Sequence, residues 1–372
     1  MNYNTRPAVR DVVLVEALQV SAYTIPTESP ESDGTIKWNS TTLVLVQVEA
    51  AGINGMGYTY ATASVAHYIQ YTLKQMVIGR DVMNIQAVTT YLIQEIRNNG
   101  AAGIAMMAVS AIDNALWDLK AKILDLPLCV LLGQAKSSML LYGSGGFTSY
   151  SDLQLKTQFE NWAADGIKYM KMKIGRDAAM DPHRVAYAKE VIGDNAELFV
   201  DANGGYTVKQ ALQMADIFTA QQVSWFEEPV TSDNLKGLHF IREHAPAVMN
   251  IAAGEYGYTL QYFEAMVNAG AVDVLQADAT RCGGITNFLK AGYLAEVYQI
   301  PFSSHCAPAL HLHAALALPS FYIAEYFYDH ARIEHMLFDG MVTVKDGKLI
   351  PDYTLPGLGL EFKYEDALKY KL

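Results

Sequence analysis

Apolar and polar positions along this chain change rhythm twice. From Asp11 to Thr24, and again from Thr41 to Glu49, they alternate with period two, as in strands with one covered face. The segment between them, Pro26 to Thr35, is polar and carries two prolines and a glycine, which predicts a loop and a candidate lid. Gly52 to Tyr60 reads as a glycine-rich turn. It lacks the Gly-Lys-Ser/Thr ending of a phosphate loop, so no phosphate site is expected there. From Ser64 the spacing becomes helical, most clearly over Gly103 to Leu124, where Ala105, Ala108, Ile112, Ala115, Leu116, Leu119 and Ile123 recur on one face. Asp113 and Asp118 on that helix are expected at its packing edge, outside any catalytic role.

Beyond about Ser137, short apolar runs alternate with amphipathic stretches. The predicted strands are 140–144, 167–174, 197–201, 223–227, 250–255, 272–276, 300–304 and 321–325. Eight such units at regular spacing predict an α/β fold, a (β/α)8-type barrel with all strand C-termini on one face, with an open doubly wound sheet as the alternative. Residues 1–130 then form an α+β capping domain and 131–335 a modified (β/α)8 barrel. The C-terminal segment, 336–372, returns to complete the capping domain.

Composition narrows the class. The 372 residues are 51% hydrophobic and 18% charged, a well-cored globular chain. A net charge of -12 argues against nucleic acid and anionic membranes as partners, while local lysines and a bound cation still allow a small anionic substrate. Three cysteines (Cys129, Cys282, Cys306) without metal-type spacing fit a reduced compartment. No basic-then-apolar leader is visible, and no apolar run approaches the roughly 18 residues of a membrane span, so a cytoplasmic protein is expected. The apolar content predicts a homo-oligomer.

The predicted strand ends carry the candidate chemistry. Lys171 and Lys173 project side by side from one strand in apolar surroundings, where burial and mutual repulsion are expected to lower their pKa values toward a general base. Asp201, Glu227 and Glu255 end three successive strands as an oxygen-only set that calls for a divalent cation, Mg²⁺ with Mn²⁺ as a substitute. Glu228, pointing opposite to Glu227 on a strand, is expected to pair with a neighbour. Asp278 and His305 follow adjacent strands, so a carboxylate can orient the imidazole and favour its charged form, across the mouth from Lys173. Glu325 is a candidate protonated acid, provided burial raises its pKa. His311 and His313 diverge on a helix and are discounted as a zinc pair. Arg281 is either a surface charge or an ion-pair partner within the mouth.

Together, Lys171-Met172-Lys173, Asp201 with Asn203, Trp225-Phe226-Glu227-Glu228-Pro229, Gly254-Glu255, Asp278 with Gly283-Gly284-Ile285-Thr286, Ser304-His305 and Glu325 resemble the enolase superfamily, mandelate racemase subgroup. The resemblance covers almost the whole chain. It implies that Asp201, Glu227 and Glu255 hold Mg²⁺ against a substrate carboxylate, and that Lys173 removes the α-proton with Lys171 assisting. It further implies that His305, held by Asp278, acts from the opposite face, that Glu325 donates to an enediolate, and that Asn203 contacts substrate. Many members dehydrate acid sugars, and the hydroxyl-bearing 26–35 loop (with Glu28) and Ser144–Tyr150 stretch (with Ser144) suit a polyhydroxylated substrate. An acid-sugar dehydratase making a 2-keto-3-deoxy acid from an aldonate or aldarate is therefore the first expectation. A racemase or epimerase and a lactone cycloisomerase follow, with a sugar-acid-binding barrel without turnover as the non-enzymatic alternative.

Overall fold

The computed structural model describes residues 12–372, so Asp11, the first residue of the first expected strand, lies outside the described residues. Three strands open the chain: β1 (Ala17–Ser32), β2 (Lys37–Ala50) and β3 (Ile53–Tyr60), antiparallel in the order β1-β2-β3. The expected 26–35 loop is mostly strand. Pairing is regular from Ala17↔Glu49 to Pro26↔Ser40, breaks, and resumes at Glu31↔Trp38. Pro26 and Pro30 border the break on an edge strand, where a missing N–H costs no central ladder bond. The turn is thereby confined to Asp33–Ile36, where the Asp33 carboxylate accepts from the backbone N–H groups of Thr35 (2.6 Å) and Ile36 (2.8 Å).

The glycine-rich stretch is likewise a strand. Added Cβ atoms at Gly55 and Gly57 would lie 2.4 Å from Leu119 Cβ and 2.3 Å from the Ala115 nitrogen, so glycine lets β3 lie directly on helix Ile104–Ile123. Asp113 and Asp118 on that helix are buried in the core and not at its edge. Asp118 accepts from the N–H groups of Met56 (2.9 Å) and Leu358 (2.7 Å), and Asp113 from that of Thr286 (2.9 Å). Each carboxylate joins segments distant in sequence, satisfying backbone donors that burial would otherwise strand.

Eight parallel strands follow: β4 (Met139–Gly145), β5 (Tyr169–Lys173), β6 (Glu197–Asp201), β7 (Val223–Glu227), β8 (Asn250–Ala253), β9 (Val274–Ala277), β10 (Phe302–Ser304) and β11 (Phe321–Phe327). Each pairs with the next, and β11 pairs with β4, so the sheet closes into a barrel. Tyr142, Phe199, Trp225, Ala252, Val274 and Ile323 fill its interior, with the Phe199 and Trp225 rings stacked 4.9 Å apart. Strand periodicity then places the residue two further on, on the same face and one layer nearer the mouth: Ser144, Asp201, Glu227, Gln276 and Glu325. The apolar layer is the platform on which the polar layer stands.

The C-terminal segment pairs Lys348–Leu349 antiparallel to the start of β4, and the Leu372 N–H donates to the Ala22 carbonyl at 3.0 Å. Among the described residues, no helix is long and apolar enough to cross a membrane.

Candidate active site

The barrel mouth gathers residues from seven strand ends, β5 to β11. The Lys171 ammonium lies 2.5 Å from Glu227 Oε1, 2.8 Å from Glu325 Oε1 and 3.4 Å from Asp201 Oδ2. Lys173 Nζ lies 2.5 Å from Asp201 Oδ2. Burial pushes the pKa of both lysines down, as the sequence predicts. The carboxylates outweigh it, and both end above the ordinary lysine value. The expected fall is therefore absent from this arrangement, because each ammonium is paired with acids at close range.

Glu325 departs from expectation for the same reason. Burial pushes its pKa up, but Lys171 and His305 pull it well below the ordinary carboxylate range. Its Oε1 accepts from the Ser144 hydroxyl (2.6 Å) and its Oε2 from the Cys306 N–H (2.8 Å). Both of its oxygens accept hydrogen bonds here, and the raised pKa expected of a buried acid is not found.

Asp201, Glu227 and Glu255 each offer a carboxylate oxygen within 4.8 Å of the others, and all three are buried. Glu255 Oε2 has no hydrogen-bond partner. Asp201 Oδ1 accepts from the Asn203 N–H (2.9 Å), and Glu227 Oε2 from Trp225 Nε1 (3.0 Å) and Gln276 Nε2 (3.0 Å), so the outer oxygens are oriented by fixed donors. Three buried carboxyl groups with an orphaned oxygen and no sulfur donor fit a hard divalent cation.

His305 Nδ1 is 2.9 Å from Asp278 Oδ2, and its Nε2 is 3.4 Å from Glu255 Oε2 and 3.2 Å from Cys306 Sγ. Asp278 Oδ1 accepts from the Thr280 N–H at 2.7 Å, which fixes the carboxylate that aims the ring. Although burial works against its charge, the bond to His305 holds Asp278 below the ordinary aspartate range. Arg281 proves to be an ion-pair partner inside the mouth, donating to the Glu255 carbonyl (3.1 Å) and lying 3.7 Å from both Glu255 Oε1 and Asp278 Oδ2.

A cavity of about 370 Å³ opens over this floor, lined by Lys173, Asn203, Glu255, Arg281 and His305 from the barrel and by Trp38, Ser40, Thr41 and Thr62 from the cap. The β1–β2 hairpin closes one side. The Thr148 N–H donates to the Ser32 carbonyl (2.8 Å), Arg176 Nε donates to the Asp33 carbonyl (3.1 Å), and a Cβ on Gly34 would meet the Ala202 carbonyl at 2.2 Å.

Two expected substrate contacts are not brought to this cavity. Ser144 is wholly buried beneath it, with its hydroxyl spent on Glu325. Glu28 is exposed and bonded to the Tyr328 hydroxyl, on a part of the hairpin that does not line the cavity. Glu228 also differs from expectation. It follows the end of β7 at φ 38°, which breaks strand alternation, and its buried Oε1 has no partner. Burial and the Glu255, Asp201 and Glu227 carboxylates push its pKa up. His311 and His313 diverge as expected. His311 Nε2 accepts from the Ala279 N–H (2.8 Å), and His313 Nδ1 from that of Cys129 (3.2 Å). The orienting roles of Trp225, named above only within its motif, and of Gln276 and Thr280 escaped sequence reasoning. For Gln276 the only signal was a polar residue in an apolar strand.

Residues 20–133 match the family model of the mandelate racemase / muconate lactonizing enzyme N-terminal domain, and residues 154–367 match the enolase C-terminal domain-like model. A 3,6-anhydro-α-L-galactonate cycloisomerase of Streptomyces coelicolor is 32% identical over 94% of this chain and 98% of its own. The crystal structure of a mandelate racemase/muconate lactonizing enzyme-like protein from Rubrobacter xylanophilus superposes with a TM-score of 0.94 at 49% identity, covering 96% of this chain and all of that one. The L-talarate/galactarate dehydratase from Salmonella typhimurium, solved with Mg and L-lyxarohydroxamate, superposes at 0.90 with 27% identity, covering all of this chain and 96% of that one.

Proposed function

The chain belongs to the mandelate racemase/muconate lactonizing enzyme family of the enolase superfamily, and from that premise we propose that it is a Mg²⁺-dependent acid-sugar dehydratase. In this reading it takes an aldonate or aldarate to a 2-keto-3-deoxy acid. The observation that carries the reading is that Lys173 and the Asp278-held His305 line one cavity above the three-carboxylate cluster.

Asp201, Glu227 and Glu255 would hold the cation, with Trp225 and Gln276 fixing the orientation of Glu227. When bound, Mg²⁺ supplies positive charge to a substrate carboxylate and competes with the lysines for these acids. Lys173, as the free amine, takes the proton α to the substrate carboxylate. The negative charge that builds on that carboxylate is met by the Lys171 ammonium, which Glu227 and Glu325 hold in place. His305, protonated and aimed by Asp278, gives its proton to the β-hydroxyl, which leaves as water. The enol that remains ketonises to the 2-keto-3-deoxy acid. Ser40, Thr41 and Thr62 on the cap face the same cavity and suit a polyhydroxylated chain.

Cycloisomerisation or epimerisation is the second reading, supported by the same pair of groups. A base and an acid lining one cavity serve internal displacement or reprotonation as well as water loss, and the Streptomyces relative is a cycloisomerase. A Lys173→Ala variant tests the shared first step: Mg²⁺ and ligand affinity remain while turnover is lost. Retained turnover would remove Lys173 from the mechanism.

A further inference from the structure

His330 sits on the helix Tyr328–Leu337 that follows β11, and it lines the cavity above the carboxylate cluster. The ring is clamped from both sides of the seam between cap and barrel. Tyr60, the last residue of β3, stacks on it with ring centroids 3.4 Å apart and 14° between the planes. The Tyr60 hydroxyl also donates to the His330 carbonyl at 3.4 Å. Phe327, from the end of β11, packs edge-on at 5.0 Å. His330 Nδ1 accepts from the Ala307 N–H at 3.4 Å. Ala307 lies two residues beyond His305, so the ring is anchored to the loop that carries the proposed acid. Among the described residues, nothing bonds to its Nε2.

A neutral imidazole has one bare nitrogen and one N–H. With Nδ1 accepting from Ala307, the proton belongs on Nε2. Burial holds the His330 pKa down to about 3, with His305 and Arg281 adding to it against Asp278 and Glu325, so the ring stays uncharged. Three other nitrogen donors lining the cavity are committed to acids: Trp38 Nε1 to Glu31, Lys173 to Asp201, and Arg281 to Glu255 and Asp278. An N–H in a cavity wall without a partner calls for an acceptor from the ligand. We propose that His330 Nε2–H is a substrate-binding donor that takes a hydroxyl oxygen of the acid sugar on the His305 side of the cavity. This rests on the acid-sugar reading above and adds the residue that orients the chain beside the leaving hydroxyl. An uncharged donor suits an uncharged oxygen, and it leaves the substrate carboxylate to the cation and Lys171.

The test uses the Mg²⁺-loaded Lys173→Ala protein, where no turnover disturbs binding, and a panel of aldonic, aldaric and uronic acids. ¹⁵N NMR of the labelled histidines, with the His330 signals identified by their loss in either variant below, should show Nδ1 bare and Nε2 protonated from about pH 5 to 8. The Nε2–H signal should shift when a sugar binds. A ring that titrates in that window, carries its proton on Nδ1, or ignores the bound sugar overturns the proposal. These signals are read on the native ring, so they stand even where a variant folds poorly. By calorimetry, His330→Phe keeps a ring against Tyr60 but loses the N–H, and should weaken binding about three- to tenfold, the size of one neutral hydrogen bond. His330→Gln, whose amide both accepts and donates, should regain most of that loss, which a packing role would not allow. Unchanged affinity in His330→Phe, or a loss that His330→Gln does not regain, overturns the donor and leaves the dehydratase reading standing. The predicted losses in a protein whose wild type turns over no acid sugar strike the dehydratase reading alone, and no binding across the panel strikes both.

Discussion

Asp278→Asn separates the two halves of the proposed chemistry. Asp278 Oδ1 is already taken by the Thr280 N–H at 2.7 Å, so an asparagine keeping that bond turns its amide nitrogen toward His305 Nδ1, 2.9 Å away. Two donors then face each other, and the ring must shift its proton to Nε2 or swing out of line. A hydrogen bond to a charged partner is worth roughly 1.5–3 kcal/mol, so dehydration should fall roughly ten- to 150-fold. Lys173 and the carboxylate cluster do not depend on that bond. Exchange of the α-hydrogen, followed by NMR in D₂O, should therefore persist near its wild-type rate, and Mg²⁺ affinity should be unchanged. Equal loss of exchange and dehydration would refute the separate roles, and undiminished dehydration would remove the dyad from the reaction.

Other consequences follow from the same contacts. Asp201→Asn or Glu255→Gln should abolish Mg²⁺-dependent activity and weaken Mg²⁺ binding in a titration; undiminished binding in both would remove the triad as the metal site. Gly57→Ala should lower the melting temperature markedly, because its Cβ would lie 2.3 Å from backbone of the facing helix and overpacking costs roughly 1–3 kcal/mol or more. Burial holds the Glu31 carboxyl, which accepts from Trp38 Nε1 at 2.7 Å, up at about 8 against an ordinary 4.5. Between those values the folded chain keeps a proton that the unfolded chain has released, so stability should fall as pH rises from 4.5 through 8. Thermal melts across that window should show a shallower fall in Glu31→Gln, and an unchanged slope would discount Glu31.

The barrel was legible because apolar strand runs and helical stretches alternate so regularly, and Glu197–Asp201 and Val223–Glu227 fall where periodicity places them. Its lysine, carboxylate and imidazole positions were legible because strand ends converge on one mouth. Hydrogen-bond partners were not. Glu325 reads as a buried acid in sequence, and only folding shows that Lys171 lies 2.8 Å away and holds its pKa down. Ser144 looked like a substrate contact because sequence marks a hydroxyl near the mouth without saying which acceptor claims it. The hairpin escaped for a different reason. Its prolines signal a loop, yet an edge strand with a break in its ladder tolerates both. Gly55 and Gly57 similarly suggested a turn when the reason for glycine was a helix lying against the strand.

The central claim is that Lys173 and His305 work on a carboxylate substrate from one cavity. The most direct test is to incubate the Mg²⁺-loaded protein with a panel of aldonic, aldaric and uronic acids in D₂O, following 2-keto-3-deoxy acid formation and α-deuterium exchange together. The account predicts a keto product from one or a few sugars, with exchange lost in Lys173→Ala. Exchange or inversion without keto product would move the enzyme to the isomerases, and neither signal across the panel would contradict acid-sugar chemistry at this site.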